Sequence, residues 1–130
     1  MSAQMADTYH GSLEFTVTER GPDRVVSEMP IGPGITNPFG VVHAGAMLWF
    51  ADVTATLLVV GDAEPAEGMK GFPLAINLAA SFIGNQRDGT LTAVASFVKK
   101  GRTLSVVRTE VRGANNRLLA DVTTSHVLST

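Results

Sequence analysis

Leu13, Phe15 and Val17 alternate with Glu14, Thr16 and Thr18, the period-two pattern of a half-buried strand. Gly21-Pro22-Asp23 is turn chemistry and predicts a return strand over Arg24 to Ile31. The segment Gly32 to Val42, with two prolines and three glycines, predicts irregular backbone. The pattern then changes. From His43 to Val60 the chain has good helix formers, few polar residues and no proline. Its apolar residues run most of the way round, which predicts a buried helix wrapped by other structure. Gly61 to Gly71 reads as an exposed loop.

The remainder alternates strand and turn. Strands are predicted over Leu74 to Ile83, Leu91 to Val98, Leu104 to Arg112 and Leu118 to Leu128. Asp88-Gly89, Lys100-Gly101-Arg102 and Gly113 to Asn116 supply the turns between them. One long central helix with five or six mostly antiparallel strands predicts an α+β domain, its sheet curled around the helix. A single sheet offers the helix one face, so its edges invite a second copy of the chain.

Composition narrows this picture. The 130 residues are long enough for one cored domain, with Met1 to Gly11 as a peripheral N-terminal segment. Charged residues make up 17%, too few for a disordered chain. The net charge of −2, with scattered basic residues, argues against nucleic acid. The absence of cysteine removes disulfides, thiolate metal sites and thiol nucleophiles together. Met1 to Gly11 is not a signal peptide, and Asp52 breaks the longest apolar stretch. A carboxylate in mid-bilayer costs about 2.5–3.5 kcal/mol, so that stretch reads as a helix of a cytoplasmic protein and not as a membrane span.

Two chemical elements stand out. The first is the predicted helix N-terminus, where the N–H groups of Ala44 and Gly45 lack intrahelical partners and can polarise a carbonyl. The second is Asp52, a lone carboxylate in an apolar helix, whose pKa burial should raise toward that of a base. Ala44 and Asp52 are eight residues apart, roughly 12 Å along a helix. One carbonyl needs both groups within about 3–3.5 Å, so only an antiparallel pair of chains can unite them. Each group also has a structural reading. Asp52 can bond a neighbouring hydroxyl, His43 can be a structural hydrogen-bonder at the helix start, Thr56 can back-bond to a helical carbonyl, and Trp49 and Phe50 can be core. No His, Asp or Glu cluster has metal-ligand spacing, so neither metal nor cofactor is expected.

The run Asn37-x-x-Gly40-x-x-His43-Ala44-Gly45, with Asp52 nine residues after the histidine, resembles a motif of the hotdog-fold acyl-CoA thioesterases. The nearest branch is that of the phenylacetate-pathway and one type of 4-hydroxybenzoyl-CoA thioesterases. The likeness runs from about Val25 to the C-terminus and includes Gly101-Arg102 and Leu118-Leu119-Ala120-x-x-Thr123. It implies a hotdog fold and a homodimer or a tetramer of paired dimers. It gives Asp52 the role of general base or nucleophile, and the Ala44 amide that of carbonyl polariser. Asn37 would place substrate or water, with His43 beside it, and Thr56 would support the acid. Two positions depart from the family. Ala44 stands where glycine is usual, and Ala75 where a Ser or Thr hydroxyl often begins the next strand.

The expected activity is hydrolysis of an acyl- or aryl-CoA thioester to the free acid and CoA. Gly45 and Phe39 are candidate substrate contacts, and Trp49, Phe50 and Phe82 candidate pocket or core residues. Lys100 and Arg102, with Lys99, are candidates for the CoA phosphates. The alternatives are a hotdog module that binds acyl-CoA without cleaving it, and a hotdog dehydratase or hydratase using His43.

Overall fold

A computed structural model describes residues 8–64 and 66–129. Six strands form one antiparallel sheet in the order β1-β2-β4-β5-β6-β3. They are β1 Thr16–Arg20, β2 Arg24–Pro30, β3 Pro73–Phe82, β4 Thr90–Lys99, β5 Leu104–Arg112 and β6 Leu118–Leu128. The helix α1, Ala44–Val60, packs on the sheet's inner face. This is the α+β arrangement the patterning predicts, with every pairing antiparallel.

Alternation decides which side chains meet the helix. Val25, Ser27 and Met29 of β2, Leu91, Ala93 and Ala95 of β4, and Val107, Thr109 and Val111 of β5 are all buried. They face Ala46, Met47, Phe50, Ala51, Thr54, Ala55 and Leu58 of α1. Small residues on β4 let Phe50 and Met47 approach the sheet closely, and removing the Phe50 ring would cost about 3–5 kcal/mol.

Two expectations shift. The first strand begins at Thr16 rather than Leu13, because only from Thr16 onward does the backbone pair with β2. Phe15 instead packs on the rings of Trp49 and Phe50, both 5.2 Å away. The helix is not wrapped on all sides within one chain. One sheet covers one face, and Trp49, Val53, Thr56 and Val60 on the others stay half-exposed. Of the N-terminal segment, residues 1–7 lie outside the described residues, while Thr8 to Gly11 are exposed and irregular.

The sheet's two edges differ. β1 has five residues, but β3 has ten, and all of them after Pro73 are exposed. Ile76 is 59% exposed and Leu74, Leu78 and Phe82 are each above 40%. A long apolar edge strand of this kind is a ready site for strand addition.

Candidate active site

The segment before α1 is fastened at both ends. Asn37 Oδ1 accepts from the N–H groups of Phe39 at 2.9 Å and Val41 at 3.3 Å, folding the intervening residues into a tight turn. Gly40 completes that turn at φ +80°, and a Cβ there would come within 3.0 Å of the Arg87 guanidinium. Val42 N–H donates to Gln86 O and Asn85 Nδ2 to Val42 O, tying the segment to the stretch between β3 and β4. His43 N–H donates to Ile35 O at 2.8 Å. The helix therefore starts at a position set by its own preceding loop.

At that start, His43 is the N-cap. Its Nδ1 accepts from Gly45 N–H at 3.3 Å, and its carbonyl accepts from Ala46 N–H at 3.0 Å. This resolves the pair of donors expected from the sequence: Gly45 is engaged by the cap, while Ala44 N–H lies ahead of the first bonds of the helix, on an exposed residue. The positive end of the helix dipole adds to its pull on a carbonyl oxygen. A cleft of about 700 Å³ opens here, lined by Asn37, Pro38, His43, Gly45 and Ala46 and by Tyr9 and His10. That volume suits a small-molecule site.

Asp52 sits elsewhere, two turns into α1, and does not line that cleft. Its Oδ1 is buried without a hydrogen-bond partner. Burial pushes its carboxyl above the usual carboxylate range, and His126 draws it partway back. Among the residues of α1 it alone is ionisable. Thr56 makes no hydrogen bond to it; Thr56 lines a separate groove with Val60, Met69 and Phe72. Thr54 is the hydroxyl that back-bonds, donating to Phe50 O at 2.7 Å beside the buried Ser27.

The remaining candidates scatter. Phe50 is core, Trp49 is half-buried, Phe82 lies on the exposed edge strand, and Phe39 is 80% exposed outside the cleft. Lys100 and Arg102 stand at the β4–β5 turn by the far end of α1, with Lys100 Nζ 5.4 Å from the Phe97 ring. Both border a cleft of about 100 Å³ that also touches Val59, Ser105 and His126. Ala75 pairs with His126 across β3 and β6, beside a β-bulge.

His126 is the residue that the sequence reading missed. It is 1% exposed, on the inward face of β6. The signal was available: in Val122-x-Thr124-x-His126 the period of two places a histidine among core positions. Among the described residues no group of three or more His, Asp or Glu is arranged to hold a metal ion, and no helix is long and apolar enough to cross a membrane.

A single chain thus supplies an anion-seeking helix end and, roughly 12 Å along the same helix, a half-buried carboxylate. A profile described as the thioesterase superfamily matches residues 39–120, which contain both. The 1,4-dihydroxy-2-naphthoyl-CoA hydrolase of Listeria monocytogenes is 25% identical over 82% of this chain and 82% of its own. A thioesterase structure from Staphylococcus aureus superposes with a TM-score of 0.82 at 21% identity, covering 89% of this chain and 93% of that one. One from Haemophilus influenzae gives 0.78 at 24% identity, covering 88% and 77%. The fold is the hotdog fold.

Proposed function

Because the chain belongs to the thioesterase superfamily, we propose that it hydrolyses an acyl- or aryl-CoA thioester at a site shared between two copies of itself. The observation that carries this reading is Asp52, a half-buried carboxylate with one buried, unpartnered oxygen, on a helix whose N-terminal amide is exposed. The motif Asn37-x-x-Gly40-x-x-His43-Ala44-Gly45 with Asp52 supports placing the chain near the phenylacetate and 4-hydroxybenzoyl-CoA branch.

In this reading the thioester oxygen accepts from Ala44 N–H of one copy. Ionised Asp52 of the other takes a proton from water as the water oxygen bonds to the carbonyl carbon. The tetrahedral intermediate collapses, the C–S bond breaks, and the CoA thiolate leaves and takes up a proton. The alternative, in which Asp52 attacks the carbon itself, uses the same geometry and inserts an anhydride that water then opens. Asn37 and the His43 cap act by holding the Ala44 amide in place. Lys100 and Arg102 are the cations offered to the CoA phosphates.

What supports the dimer is the separation of the two groups together with the uncovered apolar edge of β3. A second copy added there in antiparallel register would also shield the half-exposed side of α1.

The test is free-thiol release from short, medium, long and aryl CoA esters by wild type and by Asp52→Ala, with sedimentation giving the oligomeric state. Release by a dimeric wild type and its loss in a folded, dimeric Asp52→Ala is the expected result. Full turnover in that variant would remove Asp52 from the mechanism. Ester binding without release by wild type would instead favour the non-cleaving module, for which the Ala44 methyl and the missing hydroxyl at Ala75 argue.

A further inference from the structure

The cleft at the start of α1 has walls to which the hydrolytic reading gives no role. Besides Asn37 and the His43 cap, it is lined by Tyr9 and His10, from the segment ahead of β1, and by Leu13, Ile35, Pro38 and Ala46. Among the described residues no lysine, arginine, aspartate or glutamate lines it. The cations offered to the CoA phosphates stand elsewhere, at the β4–β5 turn. A cleft of about 700 Å³ with aliphatic walls and a phenol ring therefore suits an uncharged organic group better than a phosphate.

Tyr9 and His10 are held at this cleft because the chain just after them is pinned. Ser12 N–H donates to Gly34 O at 3.0 Å. Three residues on, Phe15 packs against Trp49 and Phe50 of α1. The close approach depends on two glycines. A Cβ on Gly34 would collide with Ser12 Oγ and come within 3.0 Å of the Ser12 carbonyl oxygen, and one on Gly11 would come within 3.1 Å of Gly34 O. The N-terminal segment thus lies directly on the loop before α1, as a strap. Tyr9 itself is 83% exposed. A ring fixed beside a cleft yet bare to water is one that a flat ligand can cover, gaining both apolar burial and ring stacking.

The Ala44 amide lies in the chain between two residues of the cleft lining, His43 and Gly45. We infer that Tyr9 is a specificity-determining residue: the acyl group of the ester occupies this cleft with its flat, ring-bearing part against the Tyr9 side chain, and the CoA moiety lies outside it. The inference rests on the hydrolytic reading for the carbonyl bound at Ala44. The cleft and the strap that walls it stand apart from that reading.

Two measurements test it, one of them independent of turnover. Tyr9 is the only tyrosine of the 130 residues, so 3-fluorotyrosine puts a single fluorine label at the cleft. The probe is S-phenacyl-CoA, which keeps an aryl carbonyl but has no thioester to cleave, and the control is CoA alone. The Tyr9 resonance is expected to shift with S-phenacyl-CoA and to stay in place with CoA. An unmoved resonance at saturation, with calorimetry following the binding, overturns the inference. So does an equal shift with CoA, and so does a probe that fails to bind. In kinetics, Tyr9→Ala should lower kcat/KM for benzoyl-CoA about tenfold, mostly through KM, and that for acetyl-CoA less than about twofold. Tyr9→Phe keeps the ring and should stay within about threefold of wild type on both esters. Gly34→Ala keeps Tyr9 in the chain but lifts the strap, and should lose the same preference. Equal losses on both esters in Tyr9→Ala, or an aryl preference kept in both alanine variants, overturn the inference while leaving an Asp52-dependent thioesterase intact. A Tyr9 shift without release from any ester would instead sink hydrolysis and keep the cleft as the acyl site of a binding module.

Discussion

The two ends of the candidate chemistry are built in opposite ways. Around Ala44 almost every polar group is answered within a few residues: Asn37 by Phe39 and Val41, Gly45 by His43, His43 N–H by Ile35. Further along α1 and on the helix-facing side of β5 and β6, Asp52 Oδ1, Thr109 Oγ1 and His126 Nδ1 are left without partners. The first region is a local device that presents one amide. The second is a tertiary one, bearing unsatisfied groups that a self-sufficient core does not keep. Local satisfaction makes a rigid donor, whereas unsatisfied burial makes a group ready to exchange a proton. A thioester hydrolase needs one of each.

The sharpest way to break this contrast is at Asp52. Asp52→Asn should lower kcat by about 10²–10⁴, read by thiol release, with the fold retained. Stability should move the other way. The folded-state pKa of Asp52 is raised, so the ionised form costs stability at neutral pH, and that cost is relieved as pH falls through the raised pKa. Asp52→Asn should therefore melt above wild type at pH 7, with the gap narrowing toward acid. His126 acts oppositely: its folded pKa is lowered, so its contribution is complete above the ordinary histidine pKa and is lost as pH falls below it. Chemical denaturation across the acid range in wild type and Asp52→Asn separates the two signs.

Next in size is the test of whether the regions meet across two chains. Ile76→Lys places a charge on the exposed edge of β3 and should give a folded monomer, seen by sedimentation. Its activity should fall with its dimer fraction and recover at high protein concentration. A fully active monomer would break the shared-site reading.

The local device should respond more mildly. His43→Ala removes the N-cap and should cost about 1 kcal/mol by urea denaturation. It should also loosen the Ala44 amide, so kcat falls more than KM rises. Ala44→Gly keeps the donor and should give the smallest change, a stability loss below about 1 kcal/mol. Any rate gain would be greatest for bulky acyl groups, since the methyl borders the carbonyl slot.

How much of this was legible in sequence follows the same division. The strands Leu104–Arg112 and Leu118–Leu128 and the start of the helix at Ala44 were readable, because period-two patterning and the glycine-rich lead-in are local signals. So was Asp52, a charge interrupting an apolar helix. The first strand was misplaced because Leu13 and Phe15 continue the alternation, yet only later residues find a backbone partner. Thr56 stands one turn after Asp52, as helical spacing puts it, and lines a groove with Val60, Met69 and Phe72 that spacing alone does not reveal. Helical spacing says which residues share a face, not which neighbouring element a side chain answers.

Sequence by itself determined the class of the fold, the start of the helix and the carboxylate within it, since periodicity, capping and burial of charge act over a few residues. Only the tertiary structure decided that β3 stands uncovered at an edge and that His126 lies buried against the helix face of the sheet. Those outcomes depend on which strands pair and in what register. Local alternation puts Val122, Thr124 and His126 on one face of β6, and the pairing with β5 and β3 decides that this face meets the helix.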